Sequence, residues 1–422
     1  MSLTLALTLF LIFALVIGLP LFVILGGVAT LCYKLQGNAD VSGVIEDIYF
    51  AADKEILLAI PLFILAGNIM THGAIARRLI RLAASVTAPL PAGLGVAGVL
   101  SCTLFAAISG SSPVTLLAIG TIMYPALVEA GYSKGFAVGM LASAGTLGII
   151  IPPSIPMIVY SIMSGVSVTD MFTAGILPGL LLAFLLMIYT MYHGRKMPRG
   201  QWNSKEFFVA LRNGLPSLCV PVVILGGIYS GFFTATEAAA VAVALALIIE
   251  LGVYREIKPS MIWKSMLDTT EMLGMIFFIL LFATSFNKFL ILEQIPQGLV
   301  ENLSQIVTSK VAFLIGVNIL LLIAGCFMEI MSAILVFAPL LTPMAIHYGI
   351  DPVHFGIIMI VNLEIGYITP PVGINLFVAS AAFKQPLGDV IRSVLAPMLM
   401  LLFGLVIVTL WPELSLALID GK

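Results

Sequence analysis

Residues 148–157 read Gly148-Ile149-Ile150-Ile151-Pro152-Pro153-Ser154-Ile155-Pro156-Met157, and residues 366–375 read Gly366-Tyr367-Ile368-Thr369-Pro370-Pro371-Val372-Gly373-Ile374-Asn375. Each is an apolar run cut by a Pro-Pro pair. A proline inside a helix removes a backbone donor and clashes with the carbonyl four residues back, so each run predicts a helix that stops and restarts. The two runs share a register. At one constant offset of 218, Pro125 falls on Pro343, Gly131 on Gly349, Gly148 on Gly366, and one Pro-Pro pair on the other. With one residue of slippage, Phe63 and Asn68 match Phe282 and Asn287. Gly and Pro are common in membrane helices, but interruptions that recur in register indicate a duplication.

The rest of the chain fixes the solvent. Of its 422 residues, 61% are hydrophobic and 9% charged, where a water-soluble domain carries about a quarter charged. Stretches of about 20 apolar residues, the length that crosses a hydrocarbon core, recur from end to end and leave no room for a soluble domain. The polar stretch Gly194 to Asn213 is read as a loop. The apolar run from Leu3 lacks a basic leader and a small-residue cleavage site, so it is read as a retained span. Cys32, Cys102, Cys219 and Cys326 lie in apolar segments without ligand spacing, which argues against a disulfide framework or a zinc site. No Walker A motif is present, so direct ATP drive is not expected.

The net charge of −2 says little, but the distribution of basic residues gives a topology. Arg77, Arg78 and Arg81 precede the first long apolar stretch, Leu90 to Met123. The matching segment, Leu290 to Lys310, carries Glu293, Glu301 and a single Lys310. The positive-inside rule then puts the two on opposite sides. The expected fold is an all-α polytopic membrane protein of two inverted repeats, 1–212 and 213–422. The first repeat holds scaffold spans (3–71), an arm (72–88), a re-entrant hairpin (90–128), a broken helix (135–164), a span (174–193) and a cytoplasmic linker (194–212). The second holds scaffold spans (214–254), a span (268–287), an arm (288–310), a hairpin (311–345), a broken helix (353–383) and a last span (394–411). Threaded this way, 14 of the 19 Lys and Arg residues are cytoplasmic and both termini are periplasmic.

Each hairpin carries a tip-like interruption, Ile108 to Thr115 and Ala324 to Ser332. Irregular backbone at membrane depth must be buried in protein or line a cavity, so two tips and two broken helices are expected to enclose a site. Broken helices free carbonyls for a cation at one half-helix end and N–H groups for an anion at the next. The candidate sodium ligands are the hydroxyls of Ser109 and Ser112 with the carbonyls of Gly145, Thr146, Gly148 and Pro152. A second set comprises the carbonyls of Gly325, Met328, Gly366 and Thr369, with Asn375. Candidate substrate contacts are Ser111, Ser112, Pro113 and Thr115 on the first tip, and Glu329, Ser332, Asn362, Glu364 and Asn375 in the second half. Glu329 and Glu364 stand at apparent membrane depth, where an ionisable group is costly and commonly functional. Their alternative role is an internal hydrogen bond that steadies a hairpin, and the serines could bond back to their own helices. Thr234-x-x-Glu237 reads as a capping box at the start of a span.

Several stretches resemble the large membrane subunit of tripartite ATP-independent periplasmic (TRAP) transporters. They are Pro61-Leu-Phe-Ile-Leu-Ala-Gly67, Ser109-Gly-Ser-Ser112, Gly148-Ile-Ile-Ile-Pro-Pro-Ser-Ile-Pro-Met157, Ala174-Gly-Ile-Leu-Pro-Gly179, Gly231-Phe-Phe-Thr-Ala-Thr-Glu-Ala-Ala-Ala240 and Pro370-Pro-Val-Gly-Ile-Asn-Leu-Phe377. They occur in the family's order over nearly the whole chain. The resemblance implies an elevator-type fold, sodium symport with Na+ as the coupling ion and no cofactor, and uptake of an organic acid across the bacterial inner membrane. It also implies two partners, a separate small membrane subunit and a soluble periplasmic substrate-binding protein. By analogy, the sodium sites map to Ser109–Thr115 with Gly145–Pro152, and to Gly325–Ser332 with Gly366–Asn375. Family members carry C4-dicarboxylates, sialic acid and other carboxylates. No arginine is clearly at membrane depth to clamp a second carboxylate, which favours a monocarboxylate such as sialic acid.

Three competing classes remain. A stand-alone divalent-anion/sodium symporter shares hairpins and broken helices but needs no binding protein. An intramembrane enzyme would need a catalytic set, and His72 and His193 form none. A passive channel would show no saturable, sodium-dependent counterflow.

Overall fold

The computed structural model describes residues 10, 13–14, 17–35, 42–195, 197, 199–304, 307 and 309–419. Most of the expected span from Leu3, and Lys196 of the topology count, lie outside the described residues. The described chain is helical, without a strand. Among the described residues nine helices are long and apolar enough to cross a membrane, and a pair bent by 43°, Lys134–Ile150 with Ile155–Ser164, passes the same test when taken together. In lipid every backbone polar group must be satisfied within the segment, which is why an apolar chain of this kind resolves into helices.

In chain order the helices are α1 (Leu21–Leu35), α2 (Ser42–Ala52), α3 (Ala59–His72), α4 (Ile75–Thr87), α5 (Gly93–Ser109), α6 (Ser112–Glu129), α7 (Lys134–Gly145), α8 (Leu147–Ile150), α9 (Ile155–Ser164) and α10 (Val168–His193). They continue with α11 (Ser204–Tyr229), α12 (Ala235–Leu247), α13 (Pro259–Leu292), α14 (Ile295–Ser304), α15 (Lys310–Phe327), α16 (Ile330–His347), α17 (Pro352–Gly366), α18 (Ile374–Phe383), α19 (Leu387–Leu410) and α20 (Glu413–Leu416). A π-helical segment, Ile248–Tyr254, extends α12.

The elements recur at the offset found in the sequence. Helices α6 and α16 each have 18 residues, and both ends differ by 218. Ser133 caps α7 and Asp351 caps α17, again 218 apart, each side chain accepting from the first turn. Both Pro-Pro bonds, Pro152-Pro153 and Pro370-Pro371, are cis. Packing is reciprocal. The second half of the first broken helix (α9) lies on the second hairpin (α16), and the second half of the other (α18) lies on the first hairpin (α6). Tyr160 of α9 locks one of these contacts, its buried hydroxyl donating to the Pro352 carbonyl at 2.6 Å and meeting Thr342 of α16 at 3.2 Å.

Several boundaries differ from the sequence reading. Residues 204–213 are not loop: Asn203 caps α11 by accepting from Lys205 N and Glu206 N, so the polar stretch becomes the first turns of a helix. A side-chain cap stabilises a helix start by about 1 kcal/mol, and the polar residues that follow are good helix formers. The span read as 268–287 lies inside the 34-residue α13, started by Pro259. The tips are also shorter. Only Gly110 and Ser111 separate α5 from α6, and only Met328 and Glu329 separate α15 from α16. Ser112–Thr115 and Ile330–Ser332 are therefore first-turn helical residues. The capping box is present, with Glu237 N donating to Thr234 Oγ1 at 3.2 Å and Thr234 N to Glu237 at 2.8 Å.

Glu250, in the π-helical segment, is fully buried and accepts from the amides of Ala74 (2.8 and 2.9 Å) and Ile75 (3.0 Å). It thus caps α4 from a different helix. Glu250→Ala leaves two buried amides unpaired, at about 1–3 kcal/mol each. Its expected signature is a lower thermal midpoint in detergent, with protease cleavage appearing first at residues 72–75. An unchanged midpoint would show that α4 is held by its apolar face alone.

Candidate functional site

The two tips and two breaks meet at one cavity of about 180 Å³. Gly110–Pro113 come from the first hairpin and Glu329–Met331 from the second. Ile149, Ile155 and Pro156 flank the first break, and Tyr367 and Ile374 the second. Met272 and Ile276 of α13 close the remaining wall. No Lys, Arg or His lines it. Positive potential comes instead from the fold, because α6, α9, α16 and α18 all start at this cavity. Three of those four starts, at Ser111, Ser154 and Gly373, have no side-chain cap; Pro113 and Pro156 remove one first-turn donor from two of them, and Asn375 N of the third is bonded to Tyr367 O, so the positive ends rest on the remaining amides and the helix dipoles. The fourth is capped by Glu329, whose carboxylate accepts from Ser332 N (2.9 Å), Ser332 Oγ (3.3 Å) and Tyr367 OH (3.1 Å).

Beside the cavity are two oxygen-rich places. At the first tip, Ser109 Oγ lies 2.6 Å from Thr115 Oγ1 and 3.3 Å from the Ser111 carbonyl. Gly148 completes this group: a Cβ there would sit 2.5 Å from the Ser111 carbonyl oxygen and 2.6 Å from Thr115 Oγ1. At the second, Gly325 and Gly366 touch backbone to backbone, and a Cβ on Gly366 would lie 2.6 Å from Gly325 Cα. The carbonyls of Tyr367 and Thr369 converge on Gly373, which has φ +28 and would place a Cβ 2.7 and 2.9 Å from them. A hard monovalent cation takes oxygen ligands, and both places supply carbonyl or hydroxyl oxygens without a strong base.

One chain of polar side chains joins the halves. Asn375 of α18 donates to Ser112 Oγ of α6 and to Glu364 Oε1 of α17 (3.4 Å), and all three residues are fully buried. Glu364 Oε2 and Asn375 Oδ1 have no hydrogen-bond partner among the protein atoms. Buried polar atoms are nearly always satisfied, so these two oxygens are unusual for groups at this depth.

The comparisons with known proteins fit this architecture. Residues 8–414 match the family model described as "Tripartite ATP-independent periplasmic transporter, DctM component". The chain belongs to the DctM family. It is 46% identical over 374 residues to the C4-dicarboxylate TRAP transporter large permease of Pseudomonas aeruginosa, covering 88% of each chain. It is 40% identical over 418 residues to the corresponding protein of Rhodobacter capsulatus, covering 95% of each. The sialic acid TRAP transporter large permease of Vibrio cholerae is 32% identical over 404 residues, with 95% of each covered. Among solved structures, the Alcanivorax borkumensis YdaH transporter superposes with a TM-score of 0.60 at 16% identity, covering 89% of this chain and 88% of that one. At that identity the match establishes the fold only. The protein is thus a multi-pass TRAP-type permease and not an enzyme.

Ser109, Ser111, Thr115 and Gly148 come together at the first tip, with Thr115 beside the expected cation ligands and not in the cavity wall. Gly145 packs on the α6 backbone at Leu116, and the Thr146 hydroxyl is spent on the Ser143 carbonyl. Pro152 lies in the break, where the next carbonyl, of Pro153, lies 3.0 Å from a Cβ built on Gly110. In the second half Gly325 and Gly366 meet, while the Asn375 side chain lies with Ser112 and Glu364, and the Thr369 carbonyl faces Gly373 with its hydroxyl turned back to Ile365 O. Met328 N is bonded to Ala324 O. Asn362 does not join the cavity: its amide donates to Asn318 of α15 at 2.7 Å, on the opposite face of α17. The sequence reading missed Tyr367, whose hydroxyl accepts from Ile330 N (2.9 Å) while donating to Glu329. It also missed Met272 and Ile276, because nothing in an apolar span marks which residues will face a cavity. Ser143 and Ser154, buried hydroxyls without partners, carried only the weak signal of lying next to the first break.

Proposed function

We propose that this chain is the large permease of a sodium-coupled TRAP transporter, taking up an organic acid of the C4-dicarboxylate class across the bacterial inner membrane by an elevator motion. The observation that carries the reading is the meeting of four helix N-termini at a cavity with no basic side chain. Each N-terminus presents roughly half a positive charge, and the three without a side-chain cap add N–H groups, so a carboxylate is held without arginine. The absence of an arginine clamp therefore does not favour a monocarboxylate. The two relatives at 46% and 40% identity are named for C4-dicarboxylates, which supports that class over sialic acid, named in a relative at 32%.

One sodium is read at Ser109, Ser111 and Thr115 against Gly148. A second is read beside Gly325 and Gly366, with the Tyr367 and Thr369 carbonyls. Between them, Ser112, Asn375 and Glu364 couple hairpin to broken helix. An ion moving inward gains about 2.3 kcal/mol per 100 mV, so two ions offset the cost of carrying a dicarboxylate dianion inward against the potential, and accumulation is driven by the sodium concentration gradient. The inverted repeats, the external termini, the small membrane subunit and the soluble binding protein belong to the same proposal, supported by family membership. In the elevator motion, the hairpins and broken helices slide against α13, whose Met272 and Ile276 form one wall of the cavity.

The test is uptake into proteoliposomes holding the chain and its small subunit, with the cognate binding protein outside. An inward sodium gradient should drive accumulation of a labelled C4-dicarboxylate at least tenfold above sialic acid. Removing sodium or the binding protein should abolish it. Transport of free acid by the chain alone would instead identify a stand-alone divalent-anion symporter.

A further inference from the structure

We propose that a pocket between α4 and α11, remote from the transport cavity, binds the headgroup of an anionic phospholipid. The pocket has a volume of about 200 Å³ and is lined by Arg77, Arg78, Arg81, Ala210, Asn213 and Glu256, with Ala74 at its edge. Three arginines face one lining carboxylate. Glu256 is shared, pairing with Arg77 (2.6 Å) and with Arg78. Arg81 has no ion-pair partner among the described residues. Glu250, another acid beside the start of α4, is buried and spent on the amides of Ala74 and Ile75. Arg78 is fixed rather than floating: its Cζ lies 4.0 Å from the Tyr254 ring centroid, and the Tyr254 hydroxyl is tied to Asn213 O and Ser217. Its Nε is buried and has no hydrogen-bond partner among the protein atoms. The exposed guanidinium groups of Arg77 and Arg81 flank this fixed arginine in a concave basic pocket, an arrangement that matches phosphate oxygens.

The setting selects a lipid over free phosphate. Helix α4 is amphipathic, burying Ile75, Leu79 and Leu82 while its arginines face outward. On α11 the exposed Val209 lies beside the pocket-lining Asn213, about one turn along the helix. A phosphate bound here would have apolar surface beside it along which acyl chains can lie. Basic pockets at the membrane edge between helices take acidic headgroups in this way.

The experiment uses the full chain, purified with whatever subunit accompanies it and relipidated in phosphatidylcholine nanodiscs doped with cardiolipin or phosphatidylglycerol. Lipid retention is read by native mass spectrometry, and stability by thermal midpoint. The wild type should retain an anionic lipid and be stabilised by it in preference to phosphatidylethanolamine. Arg77→Gln with Arg81→Gln, both on exposed side chains, should weaken that retention about thirtyfold, while leaving the midpoint in pure phosphatidylcholine unchanged. Glu256→Gln removes the competing carboxylate and should strengthen it severalfold, a gain that a misfolded variant cannot mimic. Equal retention by wild type and double variant would overturn the proposal, as would weaker retention in Glu256→Gln. So would stabilisation by inorganic phosphate that matches the lipid's, since the site would then serve a free anion.

Discussion

Gly366→Ala should abolish sodium-driven uptake while leaving the permease in the membrane. A methyl group at this position would lie 2.6 Å from both the Cα and the carbonyl carbon of Gly325, closer than any real contact, and the obstacle is backbone. No rotamer change can relieve it, so α15 and α17 must separate where the proposed second ion sits. Overpacking of this kind costs about 1–3 kcal/mol, and a tenfold loss needs only about 1.4. In lipid the helices gain nothing from apolar burial when they part, so close small-residue contact is itself the adhesive. Gly148→Ala should act likewise at the first tip, where the clash is with the Ser111 carbonyl and Thr115 hydroxyl. Initial uptake rates at matched protein amounts should fall at least tenfold in each, with a higher sodium concentration for half-maximal rate. Gly226→Ala, with nothing within 4 Å of the added methyl, is the control expected to transport normally. Ordinary sodium activation in both variants would remove the glycine contacts from the ion sites.

The second large effect concerns Asn375. Its amide is the link between Ser112 in one half and Glu364 in the other. Asn375→Ala removes the amide donor from a buried hydroxyl and from a buried carboxyl oxygen whose neighbour has no partner among the described residues. Each orphaned group costs about 1–3 kcal/mol, so uptake should fall tenfold or more. Ser112→Ala should cost less, because the asparagine can still turn to Glu364. A double-mutant cycle separates the roles: if the contact couples hairpin to broken helix, Ser112→Ala with Asn375→Ala is less damaging than the sum by about 1 kcal/mol. Strict additivity would mean that the two side chains act independently and that the halves communicate elsewhere.

Much of the fold was legible because lipid leaves the chain few options. Proline at 152–153 and 370–371 forbids a continuous helix, and the matched offset shows that the break is used twice. The capping box at Thr234 and Glu237 was read as a helix start and is one, whereas the caps at Ser133 and Asp351 emerged only with the structure. Boundaries were less legible where composition misleads. Residues 204–213 are polar enough to resemble a loop, yet polarity in a helix end that leaves the membrane is ordinary. The tips were read as eight or nine residues and are two, because Ser and Thr at a first turn look the same in sequence as Ser and Thr in a loop. Asn362 was grouped with Glu364 for being polar at membrane depth. Two residues apart on a helix, they point to different sides, and Asn318 on the far side could not be paired with it by spacing.

Glu329 divides the two kinds of knowledge. The sequence alone determined that an acid sits at an interruption in an apolar hairpin, that the interruption recurs, and that a helix follows it. Periodicity, proline chemistry and the length of a membrane span suffice for that, since they are local. Only the tertiary structure decided that the carboxylate is spent on the cap of α16 and on Tyr367, and that the cavity it borders draws positive potential from four helix starts. Those four starts lie far apart along the chain. Their meeting depends on α9 packing against α16 and α18 against α6, contacts between distant segments that no local pattern encodes.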